Sequence, residues 1–424
     1  MSDARSHNIL RRQVTLSMYQ DGAPSKRDGE AILHSLSMIA RGNCEKDIHK
    51  ERKMNDVRHA VGLYMRYPLA NDFLAGAVKR EKALKKGGSK QMNHVRGTDG
   101  WFRSMLVIEV RAFDNYLIPL IVVLLNSLLA TILNELGGLT MSNELLGHWN
   151  NVFSMVMNTS LAFLLVFRLN RCAMRFWEAR GYWGNMTHLT RNLIGGILMY
   201  CGHSPRDRDM AIRWGAAFCV AAMHFIRSEH DCNLDELSGI LSVDQIIKMR
   251  DADHGPLHVA SMIRLYLKRA LGVHAATPPH LANAYAIQMN ALDHFVSELI
   301  AQVSGMEKIR STPLPVAYVT HLRTLLFLYC LLLPYIWVAN WRWATVPLAV
   351  FTAFALFGIE GVSSEVEIPF DRRRPNHLAL EAYCLVMLNS VQSLVVQDAN
   401  LDMQGGEGDD PDDKFVHDCS DDPL

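Results

Sequence analysis

The sequence predicts an all-α, multi-span membrane protein, with four transmembrane helices continuous with a cytosolic helical domain. Three observations carry that prediction. Four apolar runs, at about 115–136, 149–168, 322–340 and 343–360, each offer roughly 17 to 22 residues, the length a hydrocarbon core demands. Basic residues gather at one end of these runs. Elsewhere apolar residues recur at helical spacing, with almost no β-type alternation.

The first run, Asn115 to Leu136, is interrupted only by Pro119, Asn126, Ser127, Thr131 and the terminal Asn134 and Glu135. The second is more polar because it contains Asn158, Thr159 and Ser160. Pro119, Pro334 and Pro347 lie in or near the runs and are tolerated where neighbouring helices satisfy the freed carbonyls. Trp149, Tyr335, Trp337, Trp341 and Trp343 suit the interfacial belt. A further apolar run, Ala211 to Ile226, is shorter and broken by Trp214, Gly215 and His224. It reads as a buried helix of a soluble domain.

Charge sets the orientation. The stretch 137–148 has no lysine or arginine, and the turn between the third and fourth runs has only Arg342. Lys79 to Arg103 is basic, Arg168, Arg171, Arg175, Arg180 and Arg191 follow the second run, and Arg372, Arg373 and Arg374 follow the fourth. The positive-inside rule therefore places both ends and the middle segment, 169–319, on the cytosolic or equivalent side. Within that segment, Asp207–Arg227, Leu234–Arg250, Leu257–Leu271 and His280–Met306 have helical periodicity, punctuated by Pro205, Gly255-Pro256 and Pro278-Pro279.

Composition narrows the class. The formal net charge of the 424 residues is zero, which argues against a nucleic-acid partner, since such a partner needs a basic face. The eight cysteines are scattered without a CxxC pair and read as reduced thiols. Met1 to Lys53 lacks the apolar core of a secretory signal. Residues 1–96 read as an N-terminal extension, partly disordered or peripheral, and 398–424 as an acidic disordered tail. Among the 18 histidines, His254 and His258 have the HxxxH spacing of membrane metal enzymes. Gly255-Pro256 inside the motif opposes ligation from one helix face, and no HExxH, P-loop, nucleophile elbow or dinucleotide fingerprint is present. No enzyme, metal or cofactor is expected.

The stretch 158–192 is the most informative. Thr159, Phe163 and Phe167 stand four residues apart and so share one helix face, and an arginine-rich aromatic stretch follows. On spacing alone two readings stay open: phenylalanines that pack against lipid or core, or the lining of a narrow apolar pore.

The block LLVFRLNRCAMRFWEARGYWG resembles the signature of the bestrophin and bestrophin-like anion channel family. GIEGVSSEVEIPFDRRRPNHLAL and TPLPVAYVTHL are similar to two further blocks of that family, and the resemblance runs over 97–397. It implies a homopentamer with one axial pore in a lipid bilayer, conducting chloride, bicarbonate or other small anions. It places Thr159, Phe163 and Phe167 at the hydrophobic pore neck. At the pore mouth, or as scaffold, come Arg168, Asn170, Arg175, Trp177 and Glu178. Arg168 is open to two readings, a structural ion pair or direct anion attraction. Arg175 and Glu178 are spaced to pair along the helix, and Trp177 and Trp183 to pack. His280 is the candidate for a second constriction. Animal members carry an acidic, calcium-binding run after the proline–phenylalanine turn. Here Asp371 is followed by three arginines, which oppose a hard cation. The resemblance leaves open whether the membrane is a thylakoid or a plasma membrane. The alternative function is a non-conducting scaffold or regulatory subunit of the same fold.

Overall fold

A computed structural model describes residues 68–88, 113–137, 143–229, 233–272, 279–372, 374 and 376–405. Every regular element among them is helical. In chain order these are α1 (Pro68–Gly87), α2 (Phe113–Glu135), α3 (Asn143–Tyr200), α4 (Pro205–Arg227), α5 (Val243–Arg250), α6 (Gly255–Ala270), α7 (Pro279–Ser311), α8 (Val316–Trp341), α9 (Thr345–Val366) and α10 (Leu380–Gly405). Short 3₁₀ turns lie at Leu234–Leu237 and Arg342–Ala344. The chain forms two compact units. One holds α1, α4 to α6, α10, the end of α3 and most of α7; the other holds α2, the longer first part of α3, the end of α7, α8 and α9.

In the second unit, α2, α3, α8 and α9 share a core that includes Tyr116, Val123, Leu161, Leu165, Leu326, Tyr329 and Phe357. Lipid is as apolar as leucine, so such helices associate by close packing and interhelical hydrogen bonds rather than by escape from water. Two asparagines supply those bonds. Asn126 donates to the Leu331 carbonyl (2.9 Å) and accepts from the Tyr335 hydroxyl (3.0 Å), while Asn158 accepts from Tyr329. Leu331 lies next to Cys330, whose carbonyl Pro334 leaves without its helical donor.

Helix α3 runs unbroken for 58 residues, about 87 Å at 1.5 Å per residue. The expected second run is thus the first part of a much longer helix. Among the described residues, three stretches are long and apolar enough to cross a membrane: Tyr116–Glu135, Pro205–Arg227 and Val316–Val366. The first matches the expected first run, and the last contains the third and fourth with their turn.

Pro205–Arg227 is α4, expected to be a buried helix. It carries fourteen buried residues, including Trp214, Phe218 and Met223, and packs along α6. A helix apolar all round must be covered all round. Two polar groups near its end are likewise sequestered: Arg227 makes a bidentate pair with Glu381 of α10 (2.6 and 2.9 Å), and His224 meets Glu236 at 2.6 Å.

The expected single helix Leu234–Arg250 is broken. Its first turn is 3₁₀, Gly239 sits at φ +74°, and Ser242 starts α5 with a capping box to Gln245. Gly239 is required twice over, by its left-handed backbone and because a Cβ there would meet the Asp72 carbonyl oxygen at 2.2 Å.

That close approach belongs to α1. Across it, a Cβ on Gly76 would meet the Ser238 oxygen at 1.9 Å. Arg80, 2% exposed, donates to the carbonyls of Ser238 and Phe73 (both 2.7 Å) and to Gln392 (3.1 Å). Burial pushes its pKa down to about 10, so the guanidinium stays charged at neutral pH. Arg213 of α4 pairs with Asp72. Part of the expected peripheral extension is therefore a helix with a buried face.

Candidate functional site

The stripe on α3 has the face its spacing predicts. Phe163 is 70% exposed and Phe167 41%, and Thr159 is also exposed. Leu161, Leu165 and Arg168 of the same helix are buried. Residues two apart are turned by about 200°, so one side of α3 packs and the other presents hydroxyl and rings. The Phe163 and Phe167 rings stack with centroids 6.4 Å apart. The Thr159 hydroxyl donates to the Met155 carbonyl at 2.8 Å, which uses its proton and leaves the oxygen of this exposed residue as an acceptor.

Phe167 is held from two further sides. Tyr318 of α8 meets it edge-on at 6.0 Å and donates its hydroxyl to the Leu164 carbonyl (3.0 Å). The guanidinium of Arg171 lies 5.2 Å from the Phe167 centroid, a cation–π distance.

On the packed side of the same helix lies a buried charge network. Arg168 is fully buried and pairs with Glu360 and, at 3.7 Å, with Glu367. Arg323 of α8 donates to Glu360 at 2.6 Å. Glu367 also accepts from the Leu314 amide at 2.7 Å. Arg175 reaches the main-chain carbonyls of Glu367 (3.1 Å), Thr312 (2.8 Å) and Ile309 (2.5 Å), capping the end of α7 as cations at helix C-termini do. Two arginines of α3 thereby fasten it to α7, α9 and the chain between α7 and α8. The buried geometry of Arg168 is that of the structural ion pair.

The remaining expected residues separate. Glu178 accepts from Tyr182 at 2.9 Å, and Arg175 is spent on carbonyls, so the two do not form the expected pair. The i, i+3 spacing permitted that pair, but a three-carbonyl cap offered Arg175 more acceptors. Trp183 is buried, whereas Trp177 is 69% exposed and meets Phe176 edge-on at 5.7 Å. Asn170 is exposed. His280 lies in the first turn of α7, and its side chain is outside the described residues. His254 caps α6 by accepting from the Leu257 amide at 3.2 Å, and His258 packs on Trp214 at 5.8 Å. Asp371, Arg372 and Arg374 lie in a segment closed by His377, which accepts from the Asp371 amide (2.9 Å) and donates to the Glu365 carbonyl (2.9 Å), while Arg373 lies outside the described residues.

Sequence reasoning gave no part in the site to Glu360, Glu367 or Tyr318, and used Arg171 only to set the orientation. Glu360 and Glu367 are seven apart, two turns along one helix direction, and that spacing was a readable signal. Nothing local marked Tyr318 as the neighbour of Phe167.

The sequence matches the family described as Bacterial/Fungal Bestrophin protein over residues 93–393. The chain belongs to the bestrophin family. The match takes in α2 to α9 and half of α10, with α1 lying before it. Among its relatives, a protein of Nostoc sp. is 33% identical over 252 residues, 58% of this chain and 78% of that one. One of Synechocystis sp. is 34% identical over 246 residues, 57% and 76% respectively. Both are described as voltage-dependent anion channel-forming proteins. A bacterial bestrophin homologue from Klebsiella pneumoniae superposes with a TM-score of 0.53 at 19% identity, covering 66% of this chain and 98% of that structure. At that identity the likeness is one of bestrophin fold.

Proposed function

We propose that this bestrophin is a homopentameric anion channel that passes chloride, bicarbonate and other small monovalent anions down their gradient. In this reading α2, the first part of α3, α8 and α9 are its four spans. One observation carries it: Phe163 and Phe167 face outward from α3, 70% and 41% exposed, while the opposite side of the helix is packed. Large apolar side chains left uncovered along one stripe mark an interaction surface or a lining. Membership of the bestrophin family, and relatives described as anion channel-forming, favour the lining.

Five copies of α3 around an axis make rings of Thr159, Phe163 and Phe167. An anion there sheds part of its hydration, and the passage gates by dewetting. The positive edge of each phenylalanine faces the anion. The Thr159 oxygen accepts from the hydroxyl that bicarbonate carries and chloride lacks. Arg168 and Arg175 hold the neck helix in place, Asn170 offers an amide donor at the mouth, and Trp177 and Glu178 flank it. His280 stands at a second constriction. The membrane is a thylakoid or a plasma membrane.

The test is anion current from purified full-length protein in planar bilayers, with Phe163→Ala and Phe167→Ala beside wild type. Anion-selective current whose gating or rectification changes in the alanine variants is the expected result. Silence from well-folded pentamers across voltage and pH overturns the channel and leaves the scaffold.

A further inference from the structure

Below the neck, α3 presents two arginines of opposite fate. Arg168 is fully buried and its charge is cancelled by Glu360 and Glu367. Arg171 is exposed, and no carboxylate pairs with it among the described residues. It lies four residues beyond Phe167 and so continues the line of Thr159, Phe163 and Phe167 by one more turn, about 6 Å further along the axis. Its guanidinium rests over the Phe167 ring at 5.2 Å, which anchors the charge beside the stripe.

We propose that Arg171 is the anion-concentrating and selectivity-setting residue of this channel, a ring of positive charge at the cytosolic end of the neck. The proposal rests on the channel reading above. An ion crossing the neck leaves a dry passage for a wet mouth, where the nearest uncompensated charge governs its local concentration. By Coulomb's law one such charge about 6 Å away in water raises local anion concentration on the order of threefold. The effect reaches only as far as salt allows, roughly 8 Å at physiological ionic strength and 3 Å at 1 M. That range covers the mouth and the lower ring but not the whole pore. Arg168 cannot serve in this way, because its two carboxylates cancel its field where the ion passes.

The experiment is single-channel recording of the full chain in planar bilayers, comparing wild type, Arg171→Gln, Arg171→Lys and Arg171→Cys at low and high salt. Arg171→Gln should lower chloride conductance about threefold in dilute salt and converge on wild type near 1 M, as screening requires. Arg171→Lys should restore it. In Arg171→Cys, a cationic methanethiosulfonate should raise conductance and an anionic one should lower both conductance and anion-over-cation selectivity. The neighbouring Cys172 is buried and its thiol is pushed up to about 11, so the reagent meets the introduced thiol first. Wild type treated with each reagent sets the baseline. If Arg171→Gln keeps wild-type conductance at every salt concentration, or both reagents act alike, Arg171 only braces Phe167 and the proposal is wrong. If wild type itself passes no anions, the channel reading falls and the proposal falls with it.

Discussion

Helices α2 and α4 are both long and apolar enough to cross a membrane, yet they meet opposite surroundings. Within the apolar stretch of α2 only 28% is buried, against 78% for α4. Ile118, Leu125 and Leu129 of α2 face outward, whereas Ala216, Ala217, Phe218 and Val220 of α4 are wholly enclosed. Hydropathy measures what a helix tolerates as solvent. It does not say whether lipid or protein supplies that solvent. The polar residues are the better guide: α2 carries no basic residue, while α4 carries Arg213, His224 and Arg227, each tied to a carboxylate.

The two regions also use buried charge differently. In the unit of α4, Arg227 and Glu381 join two helices through a bidentate pair. In the unit of α2, Arg168 answers to two carboxylates and Glu360 to two arginines. The sharpest way to break the comparison is therefore Arg168→Ala. It takes one charged partner from each of the buried Glu360 and Glu367 and should cost about 3–5 kcal/mol, read as a large fall in thermal stability in detergent. Adding Glu360→Gln should recover part of that loss. If the single variant unfolds at the wild-type temperature, the network does not hold α3.

Overpacking gives the next largest contrast. Ala217→Leu forces a larger side chain into a closed site on α4 and should cost about 1–3 kcal/mol. Leu125→Ala, on the exposed side of α2, should stay within about 0.5 kcal/mol. Equal effects would mean that α4 is not packed as described. Asn126→Ala removes both interhelical bonds between α2 and α8 and should cost on the order of 0.6 kcal/mol for each, read as a small shift of the unfolding midpoint. The smallest effect is expected from Thr159→Ile. Stability should hold, and the bicarbonate-to-chloride permeability ratio measured from reversal potentials should fall modestly. An unchanged ratio would remove Thr159 from anion choice.

Much of this was legible locally. The first, third and fourth apolar runs, the helix-starting Pro205, and the four-residue spacing of Thr159, Phe163 and Phe167 all survive in the structure, because each depends on neighbours within one or two turns. The break at Gly239 was missed because a helix-compatible pattern ran through a glycine whose positive φ answers to α1, well over a hundred residues earlier. Arg80 gave no signal of burial, since a lysine- and arginine-rich stretch normally reads as a solvated face. Its three acceptors come from its own helix, from Ser238 and from Gln392.

By itself the sequence determined that the chain is helical, which stretches are apolar enough for a bilayer, and, through the block around Phe167 to Trp183, the bestrophin kinship. Tertiary structure alone decided which apolar helix is wrapped in protein and which arginine on α3 is paired with carboxylates. The reason is range. Periodicity and propensity are set by residues a few positions apart, whereas burial and charge compensation are set by partners such as Glu360, 192 positions beyond Arg168. Arg168 and Arg171 look alike in the sequence, and only the packing of α3 against α8 and α9 turns one into a strut and leaves the other beside the neck.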